Sequence, residues 1–282
     1  MKILLFGGFG LLGQDIFKVL VDLDIEVIRF SSEELNLLDF DNLETKVSEI
    51  CPDIVINAAG YTDVMRAEKE LSLAFQGNVI TTHNLVKCLR SKNIPLVHFS
   101  TDYIFNGNQT TPYTERDFTD PMNNYGWSKL ISEQIITTTL KNYYIIRTSW
   151  LFGTGGKCFP KSILAQLKNA KEFFVVADQI GSPTFSYDLA KMIPVIVNGP
   201  FGIYHFANKG VVSWLEFSKI IAEMSGNKHL VKFIRPTSGQ DQFVKRPSFS
   251  VLDTSKVQET FNLDIRDFRE ALKDYLNKNQ EE

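Results

Sequence analysis

Lys2-Ile3-Leu4-Leu5-Phe6 is followed at once by Gly7-Gly8-Phe9-Gly10-Leu11-Leu12-Gly13. The apolar run predicts a buried β-strand, and the helical spacing after the glycines predicts a helix. Glycines permit a tight turn and a close approach of the backbone, while a helix N-terminus presents N–H groups and partial positive charge to a pyrophosphate. In this context the GxxGxxG spacing predicts dinucleotide binding. The alternative is a tight β–α turn that serves no ligand.

Short apolar runs alternate with longer segments of helical periodicity through the first half of the chain. Runs that are apolar throughout suit strands covered on both faces. Repeated β–α units with right-handed crossovers predict an α/β protein with a Rossmann-type, doubly wound parallel sheet. The predicted strands are 2–6, 26–30, 53–58, 96–100 and 143–147, and the predicted helices are 12–23, 42–50, 73–92 and 128–140.

The alternation weakens after Trp150, where prolines punctuate the sequence. We predict an NAD(P)-binding domain over residues 1–150, which also receives about 185–207 with a returning strand at 200–206. A smaller, interleaved α/β substrate-binding lobe is predicted over residues 151–184 and 208–282.

Charge and cysteine content narrow the class of protein. The 282-residue chain carries 30 basic and 33 acidic residues, without the long basic run that follows nucleic-acid phosphates. Its three cysteines lack CxxC spacing and its four histidines lack metal-ligand spacing, so neither a disulfide framework nor a metal is predicted. No stretch reaches the roughly 20 apolar residues that cross a bilayer. We expect a cytoplasmic enzyme with no nucleic-acid or membrane partner.

Tyr125 and Lys129 stand four residues apart in the run Tyr125-Gly126-Trp127-Ser128-Lys129. On a helix such side chains share a face, so the Lys129 ammonium is expected near the Tyr125 hydroxyl. A nearby cation favours phenolate, which predicts a lowered Tyr125 pKa and a phenol that exchanges the proton accompanying a hydride. Thr101, at the end of the predicted strand 96–100, would orient a substrate carbonyl or cap the following turn. Thr101, Tyr125 and Lys129 are the predicted catalytic group.

The end of the second predicted strand bears on the choice of cofactor. An NAD-specific enzyme usually places a carboxylate there, whereas this strand ends in Arg29-Phe30-Ser31-Ser32. Arg29 or the serines could accept a 2′-phosphate, which predicts NADPH, with NADH also accepted; Arg29 could equally be a solvated surface charge. The predicted cofactor-binding residues are Gly7, Phe9, Gly10, Leu11, Leu12, Gly13, Arg29, Ser31, Asn36, Leu37, Ala58, Ala59, Gly60, Tyr61, Tyr125 and Lys129.

Motifs outside the glycine turn narrow the class further. They are Asn57-Ala58-Ala59-Gly60-Tyr61-Thr62, Ser100-Thr101-Asp102-Tyr103-Ile104-Phe105, the Tyr125 motif with Glu133, Arg147-Thr148-Ser149-Trp150, Asp178-Gln179-x-Gly181-x-Pro183-Thr184, and Arg246-Pro247 with Ser250 and Leu252. With these motifs the chain resembles the extended short-chain dehydrogenases/reductases, and among them the dTDP-4-dehydrorhamnose reductase family. The resemblance implies reduction of the C4 ketone of dTDP-4-dehydro-L-rhamnose to dTDP-L-rhamnose, a cell-envelope sugar donor.

The same resemblance implies a substrate site. Arg246 would clamp the diphosphate with its planar fork of donors, although an arginine in a loop is often a surface charge. Trp214 begins an amphipathic pattern that is more typical of a packed helix than of a site. The residues expected at the sugar end are Thr62, Val64, Asp102, Tyr103 and Trp150.

Three departures from the family pattern stand beside the resemblance. Met65 and Arg66 replace a common aspartate and lysine after Thr62, and Asn36 replaces an acid often found near the adenine. Tyr187 stands where some members have a glutamate used in magnesium-bridged dimers, so a monomer or a different homodimer is expected. The alternative functions are a reductase or epimerase of another nucleotide sugar, and a non-catalytic NAD(P)-binding regulatory subunit.

Overall fold

The structure, a computed structural model, describes residues 1–169, 171–239 and 243–278. Its strands are β1 (Lys2–Phe6), β2 (Glu26–Phe30), β3 (Ile54–Asn57), β4 (Leu96–Thr101), β5 (Tyr143–Thr148), β6 (Leu151–Phe152), β7 (Phe173–Val176), β8 (Ile180–Gly181), β9 (Thr184–Phe185), β10 (Gly202–Phe206), β11 (Val212–Ser213) and β12 (Ile234–Thr237). Its α-helices are α1 (Leu11–Val21), α2 (Phe40–Ile50), α3 (Val64–Lys69), α4 (Leu71–Ala74), α5 (Thr81–Lys92), α6 (Asn124–Thr139), α7 (Phe159–Lys168), α8 (Ser186–Ile196), α9 (Trp214–Met224), α10 (Ser255–Phe261) and α11 (Phe268–Lys278).

The central sheet has six strands in the order β10-β5-β4-β3-β1-β2, and every pairing in it is parallel. β1 lies between β2 and β3, so the chain moves outward from β1 in both directions and leaves a crevice at the carboxyl ends of β1 and β3. Ligands of open α/β sheets bind at this switch point. The predicted Rossmann-type doubly wound sheet is confirmed, and the predicted strand at 200–206 is present as β10.

Helices cover both faces of the sheet. Along β1, Ile3 and Leu5 pack into a core with α1 and α8, whereas Leu4 and Phe6 pack into a second core with α2, α5 and α6. Successive strand residues point to opposite faces, so burial on both sides requires the continuous apolar runs seen in the sequence. Within the described ranges no helix is both long and apolar enough to span a membrane.

A third hydrophobic core lies in the second half of the chain. It gathers Phe152 after the sheet, Val175 and Ile234 from the small β7–β12 pair, and apolar residues of α7, α9 and α11. The division into a dinucleotide-binding domain and a substrate lobe stays a prediction.

The predicted helix 73–92 is interrupted. A π-helical turn over Phe75–Ile80 separates α4 from α5. The Asn78 side chain accepts from the Tyr61 N–H (2.8 Å) and donates to the Tyr61 carbonyl (3.0 Å) and to Ser128 Oγ (2.8 Å). π-turns recur at functional sites because the extra residue re-aims a side chain, and here the re-aimed side chain fixes the loop that carries Tyr61.

Candidate active site

The glycine-rich turn is required by close contacts within the protein. Gly7 has a positive φ of 74°, and a Cβ at Gly7 would overlap the Ala58 backbone at the end of β3. A Cβ at Gly13 would overlap the Gly7 carbonyl. Gly10 is the N-cap of α1, and no side chain caps the helix, so the first N–H groups of α1 face the crevice without a side-chain acceptor.

Two adjoining cavities follow the carboxyl edge of the sheet. The larger, about 520 Å³, runs from the glycine turn past the end of β2. The smaller, about 430 Å³, lies between the ends of β4 and β5 and α6. The two cavities share the residues Gly10, Ala58, Ala59, Gly60 and Tyr61. A long groove with helix N–H groups at its centre fits a dinucleotide, with its phosphates at the glycine turn.

Most of the predicted cofactor residues line this groove. Phe9, Ser31, Asn36 and Leu37 line the larger cavity with Gly7. Leu11, Leu12, Tyr125 and Lys129 line the smaller one. The predicted residues Gly10, Ala58, Ala59, Gly60 and Tyr61 line both cavities.

Arg29 lies beside the groove and lines neither cavity. Its guanidinium sits 3.6 Å from the Phe17 ring centroid and 4.3 Å from that of Phe9, and Nη1 donates to the Gly8 carbonyl at 2.9 Å. Arg29 therefore braces the glycine turn and is not a freely solvated charge. Near the end of β2, the Glu34 carboxylate accepts from the Ser31 N–H at 2.8 Å.

Thr101, Tyr125 and Lys129 meet at the wall of the smaller cavity. Asn123 begins α6 by accepting from the Gly126 N–H at 2.9 Å, so the helix starts earlier than predicted and contains both Tyr125 and Lys129. Thr101 Oγ1 donates to Asp102 Oδ1 at 3.0 Å and accepts from the Tyr103 N–H at 3.1 Å. Thr101 thus caps the turn after β4 and also faces the cavity.

The predicted lowering of the Tyr125 pKa by Lys129 is wrong in this structure. Burial, with a smaller contribution from the Asp102 charge, raises the pKa of Tyr125 to about 12, against a hydrogen bond from Thr101 that lowers it. Burial lowers the pKa of Lys129 to about 8. The Lys129 amino group lies 3.1 Å from Nε2 of His98, so its close partner is on β4 and not on its own helix.

Other lining residues escaped the sequence analysis. Ser100 and Thr148 end the neighbouring strands β4 and β5, and their buried hydroxyls have no partner within the structure. Buried hydroxyls are normally hydrogen-bonded, so both favour a polar ligand in the cavity. The sequence could have indicated Ser100 and Thr148, because they stand at, or directly after, the carboxyl ends of predicted strands and these ends meet at one edge of the sheet. The other residues of the smaller cavity that were not predicted are Asn78, Phe99, Ser149, Leu151 and Lys157.

The expected sugar-end residues divide between two places. Thr62, Asp102 and Trp150 line the smaller cavity of the groove. Tyr103 and Arg246 instead line a neighbouring cavity of about 400 Å³ with Trp214, and the Arg246 side chain hydrogen-bonds to Tyr103. Tyr103 joins the two places, because its ring lies edge-on to Tyr125 with centroids 6.0 Å apart.

Three of the expected or departing positions lie outside these linings. Val64 begins α3, and Met65 and Arg66 follow on that helix. Arg66 pairs with Glu70 at 2.8 Å on the exposed surface. The departures at residues 65 and 66 therefore do not change the walls of the cavities.

A doubly wound sheet, a glycine turn at the switch point and a Tyr–Lys pair beside the groove define a Rossmann-type oxidoreductase. A family model described as the RmlD substrate binding domain matches residues 1–281, and the chain belongs to this family. The chain is 39% identical to the spore coat polysaccharide biosynthesis protein SpsK of Bacillus subtilis, over 98% of this chain and 96% of that protein. It is 36% identical to the dTDP-4-dehydrorhamnose reductase of Aggregatibacter actinomycetemcomitans, over 96% of this chain and 97% of that enzyme.

A solved structure gives the same result. The crystal structure of dTDP-4-dehydrorhamnose reductase from Bacillus anthracis, in complex with NADP, superposes with a TM-score of 0.93 at 33% identity and covers 98% of this chain and 99% of that chain. The predicted family is confirmed, and so is the predicted class: the chain is an NAD(P)H-dependent oxidoreductase.

Proposed function

We propose that the protein uses NADPH to reduce the C4 ketone of a nucleotide-linked sugar, with dTDP-4-dehydro-L-rhamnose as substrate and dTDP-L-rhamnose as product. The observation that carries the proposal is the meeting of Thr101, Tyr125 and Lys129 at the wall of a cavity that continues into the dinucleotide groove. The relatives named as reductases of this substrate support it.

Tyr125 is the proton donor in this proposal. When bound, the reduced nicotinamide supplies the hydride to the carbonyl carbon. Because the pKa of Tyr125 is raised to about 12, the phenol is protonated at neutral pH and can give its proton to the carbonyl oxygen as charge develops there. Thr101, which hydrogen-bonds to Tyr125, orients the same oxygen. The ketone thus gains one hydride at carbon and one proton at oxygen.

The cofactor would be held by three parts of the groove. The N-terminus of α1 at Gly10 would meet the pyrophosphate, and Ala58–Tyr61 would border the chain of the dinucleotide. Ser31, Asn36 and Leu37 would surround the adenosine end, where Ser31 offers a hydroxyl to a 2′-phosphate. Lys129 would bind the ribose next to the nicotinamide.

The substrate would extend across the smaller cavity of the groove and the neighbouring cavity that Tyr103 and Arg246 line. Thr62, Asp102 and Trp150 would contact the sugar near Tyr125. Arg246 and Tyr103 would receive the diphosphate, because a guanidinium binds phosphate oxygens in pairs. Trp214 lines the neighbouring cavity and would contact the base there. The role of Val64, the oligomeric state and the cytoplasmic location stay predictions.

A different nucleotide sugar is the closest alternative, since the relative SpsK is named only for spore coat polysaccharide biosynthesis. The position of Met65 and Arg66 on the outer surface of α3 favours the principal proposal, because these departures leave the cavity walls unaltered.

The test is a turnover assay with purified protein, NADPH and enzymatically generated dTDP-4-dehydro-L-rhamnose. We expect loss of the nicotinamide absorbance in one-to-one proportion to dTDP-L-rhamnose formed. Conversion without net loss of NADPH would indicate an epimerase. A third outcome is that the protein binds NADPH but oxidises it neither with this substrate nor with a UDP-linked 4-keto sugar. That result would indicate a regulatory subunit.

A further inference from the structure

His98 connects the buried end of Lys129 to the sheet. The His98 side chain is 1% exposed on β4. Its Nε2 lies 3.1 Å from Lys129 Nζ on α6, and its Nδ1 lies 3.2 Å from Asn57 Nδ2 at the end of β3. Asn57, His98 and Lys129 therefore form one line of buried polar groups that ends at the cavity.

The orientation of Asn57 decides which nitrogen of His98 carries the proton. Asn57 Oδ1 accepts from the Ala59 N–H at 3.1 Å. A backbone N–H can only donate, so this contact fixes the oxygen and turns the amide nitrogen towards His98. An amide nitrogen also only donates. Nδ1 of His98 must then be the acceptor, and the neutral ring carries its proton on Nε2.

The Nε2–H group consequently points at Lys129 Nζ. A lysine ammonium has three donors and no lone pair, whereas the neutral amine can accept a hydrogen bond. The contact is favourable for neutral Lys129 and sets two donors face to face when Lys129 is charged. Burial and the Lys129 charge also hold the pKa of His98 well below its usual range, so the ring stays neutral.

We propose that Asn57 and His98 are positioning residues that hold Lys129 Nζ at the cavity and favour its neutral form, so that Lys129 releases a proton readily during turnover. This inference rests on the reduction proposed above. There, Tyr125 gives its proton to the sugar oxygen and becomes phenolate. Lys129 gives a proton that restores the phenol, its neutral amine accepts from His98 Nε2–H, and water returns one proton to Lys129 before the next turnover.

Other ionisable groups surround Lys129. Tyr125 and Glu133 lie on the same helix, and the charge of Glu133 raises the pKa of Lys129 against the effect of burial. Glu133 is itself held by Arg147 of β5 at 2.7 Å. Asp102 and Lys157 line the same cavity. Asn57 and the neutral His98 ring differ from all of these groups, because they carry no net charge and act on Lys129 through the direction of their hydrogen bonds.

NMR on the whole protein tests the proposal without turnover. With ¹⁵N-labelled histidine, the His98 ring is expected to be neutral and protonated on Nε2 from pH 6 to 9. With ¹³Cε-labelled lysine, Lys129 is expected to titrate near pH 8. A ring protonated on Nδ1, or an imidazolium near pH 6.5, would overturn the proposal in the wild-type protein alone. A failed assay for sugar reduction would leave both of these readouts intact, so the two failures are distinguishable.

Two variants reverse the direction of the hydrogen bond. Asn57→Asp offers carboxylate oxygens to both Ala59 and His98, so the ring proton should move to Nδ1 and Nε2 should accept from the Lys129 ammonium. His98→Gln can offer an amide oxygen to the same ammonium. In each variant the Lys129 pKa should rise by about one unit, and the alkaline limb of kcat/KM in the active enzyme should move with it.

The matched control is His83→Gln, which makes the same substitution at an exposed position of α5. It should leave both the Lys129 titration and the pH profile in place. A Lys129 pKa that stays at the wild-type value in folded Asn57→Asp and His98→Gln proteins would refute the proposal.

Discussion

Trp150 and Trp214 lie face to face, with ring centroids 3.5 Å apart and ring planes inclined by 6°. Trp150 lies two residues after the end of β5 and has a positive φ of 48°, which is rare for a bulky residue. Its indole fills the space above Gly181, where a Cβ would overlap the ring. The stack on α9 therefore fixes a strained residue that lines the smaller cavity of the groove, and it couples the second half of the chain to the candidate site.

Trp214→Leu should loosen this arrangement. Loss of the ring stack and of the contact with Phe159 should lower the free energy of unfolding by about 1–3 kcal/mol. The KM for the nucleotide sugar should rise about tenfold, with the Kd for NADPH nearly unchanged. Denaturant unfolding and steady-state kinetics measure these effects. Trp127→Leu, at an exposed position of α6, is the matched control, and an equal rise in KM there would argue against the stack.

Tyr125→Phe removes the proposed proton donor and keeps the ring. The rate constant kcat should fall by about 10² to 10⁴, because the Tyr125 phenol is the proposed source of the proton that the carbonyl oxygen gains. NADPH affinity, measured by nicotinamide fluorescence, should stay within about twofold. Tyr143→Phe, at the end of β5 away from the cavity, is the control and should leave both kcat and the NADPH affinity unchanged. Wild-type activity of Tyr125→Phe would remove Tyr125 as the acid.

Asn78→Ala should weaken the predicted cofactor site by releasing the loop that carries Tyr61. The variant removes three side-chain hydrogen bonds that hold Tyr61 and Ser128, at a cost of about 2–4 kcal/mol of stability. The Tyr61 loop borders both cavities, so the Kd for NADPH should rise by about tenfold or more. Asn198→Ala, on an exposed loop, provides the control. An unchanged Kd in a folded Asn78→Ala protein would show that the π-turn does not position the loop.

Asp102→Asn should change how stability depends on pH. Burial raises the pKa of Asp102 to about 7, so between about pH 4 and 7 the folded state binds a proton that the unfolded state lacks. Stability from this group therefore falls as pH rises through that window, and the cost persists above pH 7. The asparagine variant should be more stable than wild type at pH 8, by an amount on the order of a few kcal/mol. The difference should vanish near pH 4, and urea unfolding at both pH values measures it. A constant difference across the window would exclude Asp102 as its source.

The sheet was predictable because its signals are local. β1 and β2 begin and end at the predicted residues, since each is a short segment rich in apolar residues and bounded by turn residues. The π-helical turn that contains Asn78 was not predictable, because it depends on contacts of Asn78 with Tyr61 and Ser128, which lie 17 and 50 residues away in the sequence. Helical periodicity continues across the π-turn and conceals it.

The same distinction holds at the site. The glycine turn and the spacing of Tyr125 and Lys129 are patterns within one segment, and the groove gathers both. The predicted sign of the Tyr125 pKa shift was wrong because sequence spacing gives only proximity along a helix. The burial of Tyr125 and the contact of Lys129 with His98 on β4 both depend on the tertiary fold. A histidine in an apolar strand carries no local sign that it faces a lysine on another element.

The position of β10 has a consequence for how the chain can be divided. β10 pairs in parallel with β5, from Gly202 beside Tyr144 to Phe206 beside Thr148. A chain that contains only residues 1–148 would therefore leave the outer edge of β5 unpaired. Such an unpaired edge can pair with other chains. A version of the protein cut after residue 148 should therefore remain well behaved only if it retains residues 202–206, which cover β5.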